Sequence, residues 1–187
     1  MVVGIIIVVV VLIVFLAIFL SLFSWFISTR NRFAQLIVKI DESDSGIDVA
    51  LTKRYDTLTK MLDVTKGYSK HEAEVLSHIV QLRRGMSITE RGVVNHQMDE
   101  LTEKISVLVE NYPELKASEN YKRLQNAVAE VEEHLQASRR IYNMNVSVFN
   151  QLLVSWPASI VGSYMHHEPR DFFEMDESKR QDVKMDF

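Results

Sequence analysis

The residues of this sequence that could do chemistry are a few histidines and carboxylates, and their spacing argues against most of them. His71-Glu72-Ala73-Glu74 opens like the zinc-peptidase pattern H-E-x-x-H. That pattern needs a second His one helical turn on, so that both imidazoles reach one metal, and position 75 is Val75. A ferritin-like di-metal site uses paired Glu-x-x-His, yet no Glu here has a His three residues later. Glu74 with His78, and Glu130 with His134, stand four apart and could share a metal. The simpler expectation is solvated i,i+4 neighbours on a helix face. His166, His167 and Glu168 could hold a transition metal weakly, but adjacent side chains diverge on a helix, so an exposed loop is expected there. An enzyme or metal-dependent protein with an unrecognised site in the bundle is the alternative function, and His71, Glu74 and His78 are where its site would be sought.

Nucleophilic and phosphate chemistry find no support. The chain has no cysteine, which removes disulfides, thiolate nucleophiles and Cys-based zinc sites. Its 6 glycines are scattered, and they form neither a G-x-S-x-G elbow nor a phosphate-cradling loop. Asp48, Lys53, Arg54 and Asp56 make a charged set that reads as ion pairs between helical neighbours, worth a few tenths of a kcal/mol each; a recognition surface is the sharper alternative. Asn143, Asn145 and Asn150 are more telling. Asn145 falls on an apolar seam, where a buried amide fixes helix register, and Asn145→Leu should then raise the melting temperature. No catalytic, cofactor-binding or metal-ligating residue is assigned, no cofactor is expected, and the function reads as non-enzymatic.

The elements that carry these residues begin with the run VVGIIIVVVVLIVFLAIFLSLFSWFI, Val2 to Ile27. Every Lys, Arg, Asp and Glu lies after Thr29. About 20 apolar residues suffice to cross the roughly 30 Å hydrocarbon core, so this run is expected to be a transmembrane helix. A cleaved signal peptide would need a basic start, a shorter apolar run and a small-residue cleavage site, and none is evident. Trp25 and Phe26 suit the headgroup boundary. Arg30, Arg32, Lys39, Lys53 and Arg54 follow the run, so the N-terminus is expected outside and the large C-terminal domain in the cytoplasm.

Beyond the anchor the chain is polar and mildly acidic, with 21 Lys and Arg against 25 Asp and Glu, which argues against nucleic acid as a partner. Apolar positions at three- and four-residue spacing predict a helix from near Arg30 to Lys66, weakest around Gly46 and ending at Gly67. A second is predicted over Ser69 to Met86, a third over Asn95 to Val109 and a fourth from Ser118 to Trp156. SITERGVVN, up to Asn95, is the expected long loop. The fourth helix carries Tyr121, Leu124, Val128, Val131, Leu135, Ser138, Tyr142, Asn145, Phe149 and Leu152 as a seam for antiparallel packing. The fold class is therefore all-α: an N-terminal transmembrane helix, then an antiparallel long-helix bundle of about four helices. The expected domains are 1–28 as anchor, 29–165 as bundle and 166–187 as tail. In such a bundle the segment with Trp156, Tyr164, Phe172 and Phe173 returns toward the bilayer, and the simpler expectation is that these aromatics seal the base of the bundle.

Several blocks carry a resemblance. They are IDVALTKRYDTLTKMLDVTKGYSKHE (Ile47 to Glu72), ENYPELKASENYKRLQ (Glu110 to Gln125), SRRIYNMNVSVFN (Ser138 to Asn150) and SWPASIVGSY (Ser155 to Tyr164), followed by the terminal VKMDF. Together they resemble the LemA family of bacterial membrane proteins, in order, from about Ile40 to Phe187, with the anchor included. The resemblance implies a bundle of four main helices on a single N-terminal anchor, and no activity, because the family brings none. Trp156 stands where Phe is usual, Thr59 where Pro is common, and His166-His167 near the usual Gly-Phe; without that proline the first helix should run straighter. The function that follows is a scaffold or protein-interaction module at the inner face of the cell membrane. Its expected partners are the bilayer, through residues 2–27, and another protein or a second copy of the chain.

Overall fold

The computed structural model describes residues 2–66 and 86–173. Helix α1 spans Val2–Lys66, α2 Ile88–Glu110, α3 Pro113–Ala117, α4 Glu119–Val154 and α5 Ala158–Tyr164. No strand occurs among the described residues, and the fold is all-α. The helix expected over Ser69 to Met86 and the cap at Gly67 fall outside the described residues, apart from Met86 itself.

Helix α1 is continuous where two helices and a weak middle were expected. It contains no proline, and a single interior glycine costs only about 1 kcal/mol against Ala. Thr59, unlike a proline, keeps an amide for the helix ladder, and its hydroxyl donates to the Tyr55 carbonyl at 2.9 Å.

Helix α2 corrects the expected loop. It starts at Ile88, not near Asn95, because Ser87 caps it. The Glu90 amide donates to Ser87 Oγ at 3.3 Å, and the Ser87 amide donates to Glu90 Oε2 at 2.7 Å. This capping box satisfies donors that a helix start leaves free. Pro113 ends the next connection as expected, with Tyr112 outside helical geometry at φ −125° and ψ 82°.

The described residues fall into two compact units, one within Met1–Ile40 and Asn145–Arg170, the other within Asp41–Met144 and Asp171–Phe187. In the first, Phe33 and Phe149 meet edge to face with centroids 5.8 Å apart, and the His167 ring lies 5.2 Å from Phe33. Gly162 permits close approach here: a Cβ would lie 2.6 Å from a Leu153 methyl and 3.2 Å from the Phe33 ring tip. In the second, the core gathers Leu58, Met61 and Leu62 of α1, Val94, Met98, Leu101, Ile105 and Val109 of α2, Leu115 and Tyr121. Within it α2 runs parallel to α1, since Arg91 meets Asp44 and Asp48 while Asp99 meets Arg54. Helix α4 runs antiparallel to α1: Ser138 lies beside Gly46 and Glu132 beside Arg54.

Candidate functional site: a buried arginine layer

Three helices of the second unit each place one arginine on their apolar stripe. Arg54 lies between Leu51 and Leu58, Arg91 is three residues before Val94, and Arg139 is four after Leu135. Their exposures are 2%, 5% and 8%, which is rare for a charged side chain and requires paired partners.

Arg91 is paired through both terminal nitrogens, while its Nε is buried with no hydrogen-bond partner among the described residues. Its Nη2 donates to Asp44 Oδ2 at 3.0 Å, and its Nη1 lies 2.8 Å from Asp44 Oδ1 and 3.1 Å from Asp48 Oδ1. Burial pulls its pKa down, but the hydrogen bond and charge of Asp44, with the charge of Asp48 behind them, win and hold it above the ordinary value.

Arg54 links three helices. Its Nη1 donates to Asn95 Oδ1 at 2.5 Å and to the Asn95 carbonyl at 3.2 Å, its Nη2 to Asp99 Oδ1 at 2.5 Å, and its Nε meets Glu132. The expectation of purely local pairs on α1 is thus overturned for Asp48 and Arg54, whose partners lie on other helices. Lys53 and Asp56 stay exposed.

Arg139 is the least satisfied. Its Nε and Nη2 are buried and have no hydrogen-bond partner among the described residues. Its guanidinium lies 4.8 Å from the centre of the Phe173 ring, a cation–π contact. Burial and the neighbouring Arg54 charge push its pKa down, opposed by Glu132 and Asp99.

The block SRRIYNMNVSVFN holds the cover over this layer. Asn143 Nδ2 donates to the Phe173 carbonyl at 3.0 Å, and the Phe173 amide returns to Asn143 Oδ1 at 2.8 Å. Tyr142 donates its hydroxyl to the Asp171 carbonyl at 3.1 Å. In the first unit, Asn150 makes the same two-way clamp on Arg170, at 2.9 Å each way. Asn145 is only half-buried and donates to the Lys39 carbonyl at 3.2 Å, which ties α4 to α1.

The residues weighed for metal chemistry do not converge. Glu130 and His134 are exposed, as are His166 and Glu168. His167 lies in coil after α5 but is half-buried, its ring packed against Phe33 and Phe149. Among the described residues no group of three or more His, Asp or Glu is arranged to hold a metal. His71, Glu74 and His78 lie outside them. The arginine layer itself brings no nucleophile to a base; its chemistry is charge pairing that fixes which helix faces meet at which register.

Sequence reasoning missed Arg91 and Arg139 because charge was read as solvent exposure. The available signal was position: both fall at core spacing, i−3 and i+4 from residues of an apolar stripe. The first unit also holds a cleft of about 370 Å3, lined by Trp25, Arg32, Gln151, Leu152, Ser155 and Trp156 among others.

Comparison with known proteins meets this geometry at the same blocks. The model of the LemA family matches residues 43–187, which includes all three arginines and the asparagine clamps but begins after the apolar run. Protein LemA of Metamycoplasma hominis is 28% identical over 163 residues, covering 84% of this chain and 74% of that protein. A family match over most of the chain, on a helical bundle with this layout, shows that the protein belongs to the LemA family.

Proposed function

We propose that this protein is a single-pass, membrane-tethered helical scaffold whose bundle works at the inner face of the cell membrane by binding a protein partner or a second copy of itself. The observation that carries this reading is the apolar start of α1. Its most apolar window has a mean hydropathy of 3.7, and none of it is buried inside protein. Such a surface in water is strongly unfavourable, and a lipid core removes it. At 1.5 Å per residue the run from Val2 to Ile27 reaches roughly 39 Å, enough to cross with some tilt. Arg30, Arg32 and Lys39 follow directly, which favours a cytoplasmic bundle.

Tethering confines the bundle to a thin layer beside the bilayer and raises the effective concentration of anything else held there. The arginine layer fits a scaffold, since it spends buried charge on fixing one arrangement of helices and offers no reacting group. In-cell crosslinking from a photoreactive residue at exposed position 53, read by mass spectrometry, tests the reading. One dominant protein partner, or a crosslink between copies, is the expected result. A membrane-inserted, folded protein that crosslinks to nothing would overturn the scaffold, and metal analysis of the purified chain would then take priority.

A further inference from the structure

We infer that the corner joining α4 to α5 is a second membrane contact, in which Val154, Trp156, Ile160 and Tyr164 lie in the phospholipid headgroup zone beside the point where α1 leaves the bilayer. The inference rests on the reading of α1 as a membrane span. Its ground is the state of these four side chains, which are 76%, 82%, 59% and 74% exposed within one short segment. Isolated exposed apolar residues are ordinary, but a cluster of this kind marks a surface that meets something apolar. The expectation that Trp156, Tyr164, Phe172 and Phe173 seal the bundle holds for Phe173, at 4% exposed, and fails for the other three.

Three observations select a bilayer as the occupant. First, the corner is fixed at the level of the span's end: the Tyr164 ring meets Phe26 edge-on, with centroids 5.8 Å apart, and Phe26 is the second-last residue of the apolar run. Second, Trp25 and Trp156 line the same cleft, so both indoles of the chain lie at one end of the span. Amphipathic rings concentrate at that depth, with the ring body toward the acyl chains and the polar atom toward the headgroups. Third, no Asp, Glu, Lys or Arg occurs between Arg140 and Glu168, in a chain that is 25% charged. Ser155, Ser159 and Ser163 supply the small polar groups of the corner, while Arg32 in the cleft offers a cation to a lipid phosphate. Close packing of Gly162 against Phe33 and Leu153 holds α5 in place, so its depth is set by the fold and does not depend on a loose tail.

The chain has only two tryptophans, which makes the test direct. The full-length protein carrying Trp25→Phe is reconstituted into vesicles of phosphatidylcholine and phosphatidylglycerol, leaving Trp156 as the single indole. The expected result is blue-shifted emission, quenched by lipids brominated at shallow positions and shielded from aqueous acrylamide. Red-shifted emission open to acrylamide and indifferent to brominated lipid would overturn the inference. Blue-shifted emission indifferent to brominated lipid would also overturn it, because a second protein surface would then be the occupant. The companion variant Trp156→Phe reports the anchor through Trp25. Lipid quenching of Trp25 with none of Trp156 defeats the corner alone, and the absence of both defeats the membrane span as well.

Discussion

Two buried arginines of one layer should respond in opposite ways to the same substitution. Arg54 is bound on all sides, so Arg54→Met strands Asp99 and Glu132 without their cation. Breaking a buried pair by removing one partner costs about 3–5 kcal/mol. Here about 2–3 kcal/mol is expected, because Asp99 and Glu132 keep 24% and 33% of their side chains in water. Arg139→Met removes a guanidinium whose Nε and Nη2 find no acceptor among the described residues and whose charge opposes that of Arg54. A hydrophobe of similar volume there should leave stability unchanged or raise it by about 1 kcal/mol, the loss of the Phe173 contact being the opposing term. Denaturant melts of the two variants side by side check the contrast; equal losses would mean that Arg139 is as well paired as Arg54. At this scale the sequence was only half legible. Periodicity marks a position as inward, but the habit of sending charge outward hid Arg91 and Arg139, whose contacts lie far along the chain, Asp44 and Asp48 on α1 for the first and Phe173 beyond α5 for the second. Asn143 and Asn150 stood out by type, while their targets, the backbone at Phe173 and Arg170, carry no side-chain signature that a sequence pattern could show.

Among the elements, helix α4 was legible nearly end to end. Its stripe from Tyr121 to Leu152 alternates three and four, and each of those positions is buried or half-buried in the fold. Helix α2 was legible only in its second half. Its first turns hold Thr89, Glu90, Arg91 and Gly92, a polar stretch that dilutes the periodic signal, so the capping box of Ser87 and Glu90 was the sole clue to its start. That clue gives a prediction. Ser87→Ala should cost about 1 kcal/mol and fray α2 toward Val94, and amide hydrogen exchange over residues 88–94 would record it as faster exchange. Unchanged protection would show that Arg91, pinned to Asp44 and Asp48, holds the helix start without its cap. The expected helix from near Arg30 to Lys66 does run through Gly46, its weakest point by sequence: a Cβ there would come no nearer than 4.0 Å to Ser138 Oγ, and helical residues on both sides carry the turn through.

For the molecule as a whole, the apolar run and the bundle are separable in composition, and so are their expected effects. Deleting residues 2–27 should move the protein from the alkali-resistant membrane pellet to the soluble fraction while its circular dichroism stays helical, since the arginine layer and its core lie beyond Ile40. Retention in the pellet would point to another membrane attachment, of which the α4–α5 corner is the one argued above. Fold class and family were legible at this scale because long-range periodicity and ordered blocks survive in one sequence, whereas function was not, since binding surfaces need no fixed motif. The arginine layer also has a consequence for the order of synthesis. Arg54 leaves the ribosome first, on the same helix as the apolar run, whereas Asp99 and Glu132 follow dozens of residues later and Phe173 later still. The charged centre of the bundle therefore stays incomplete until Asp99, Glu132 and then Phe173 have been made, well after the apolar run and Arg54.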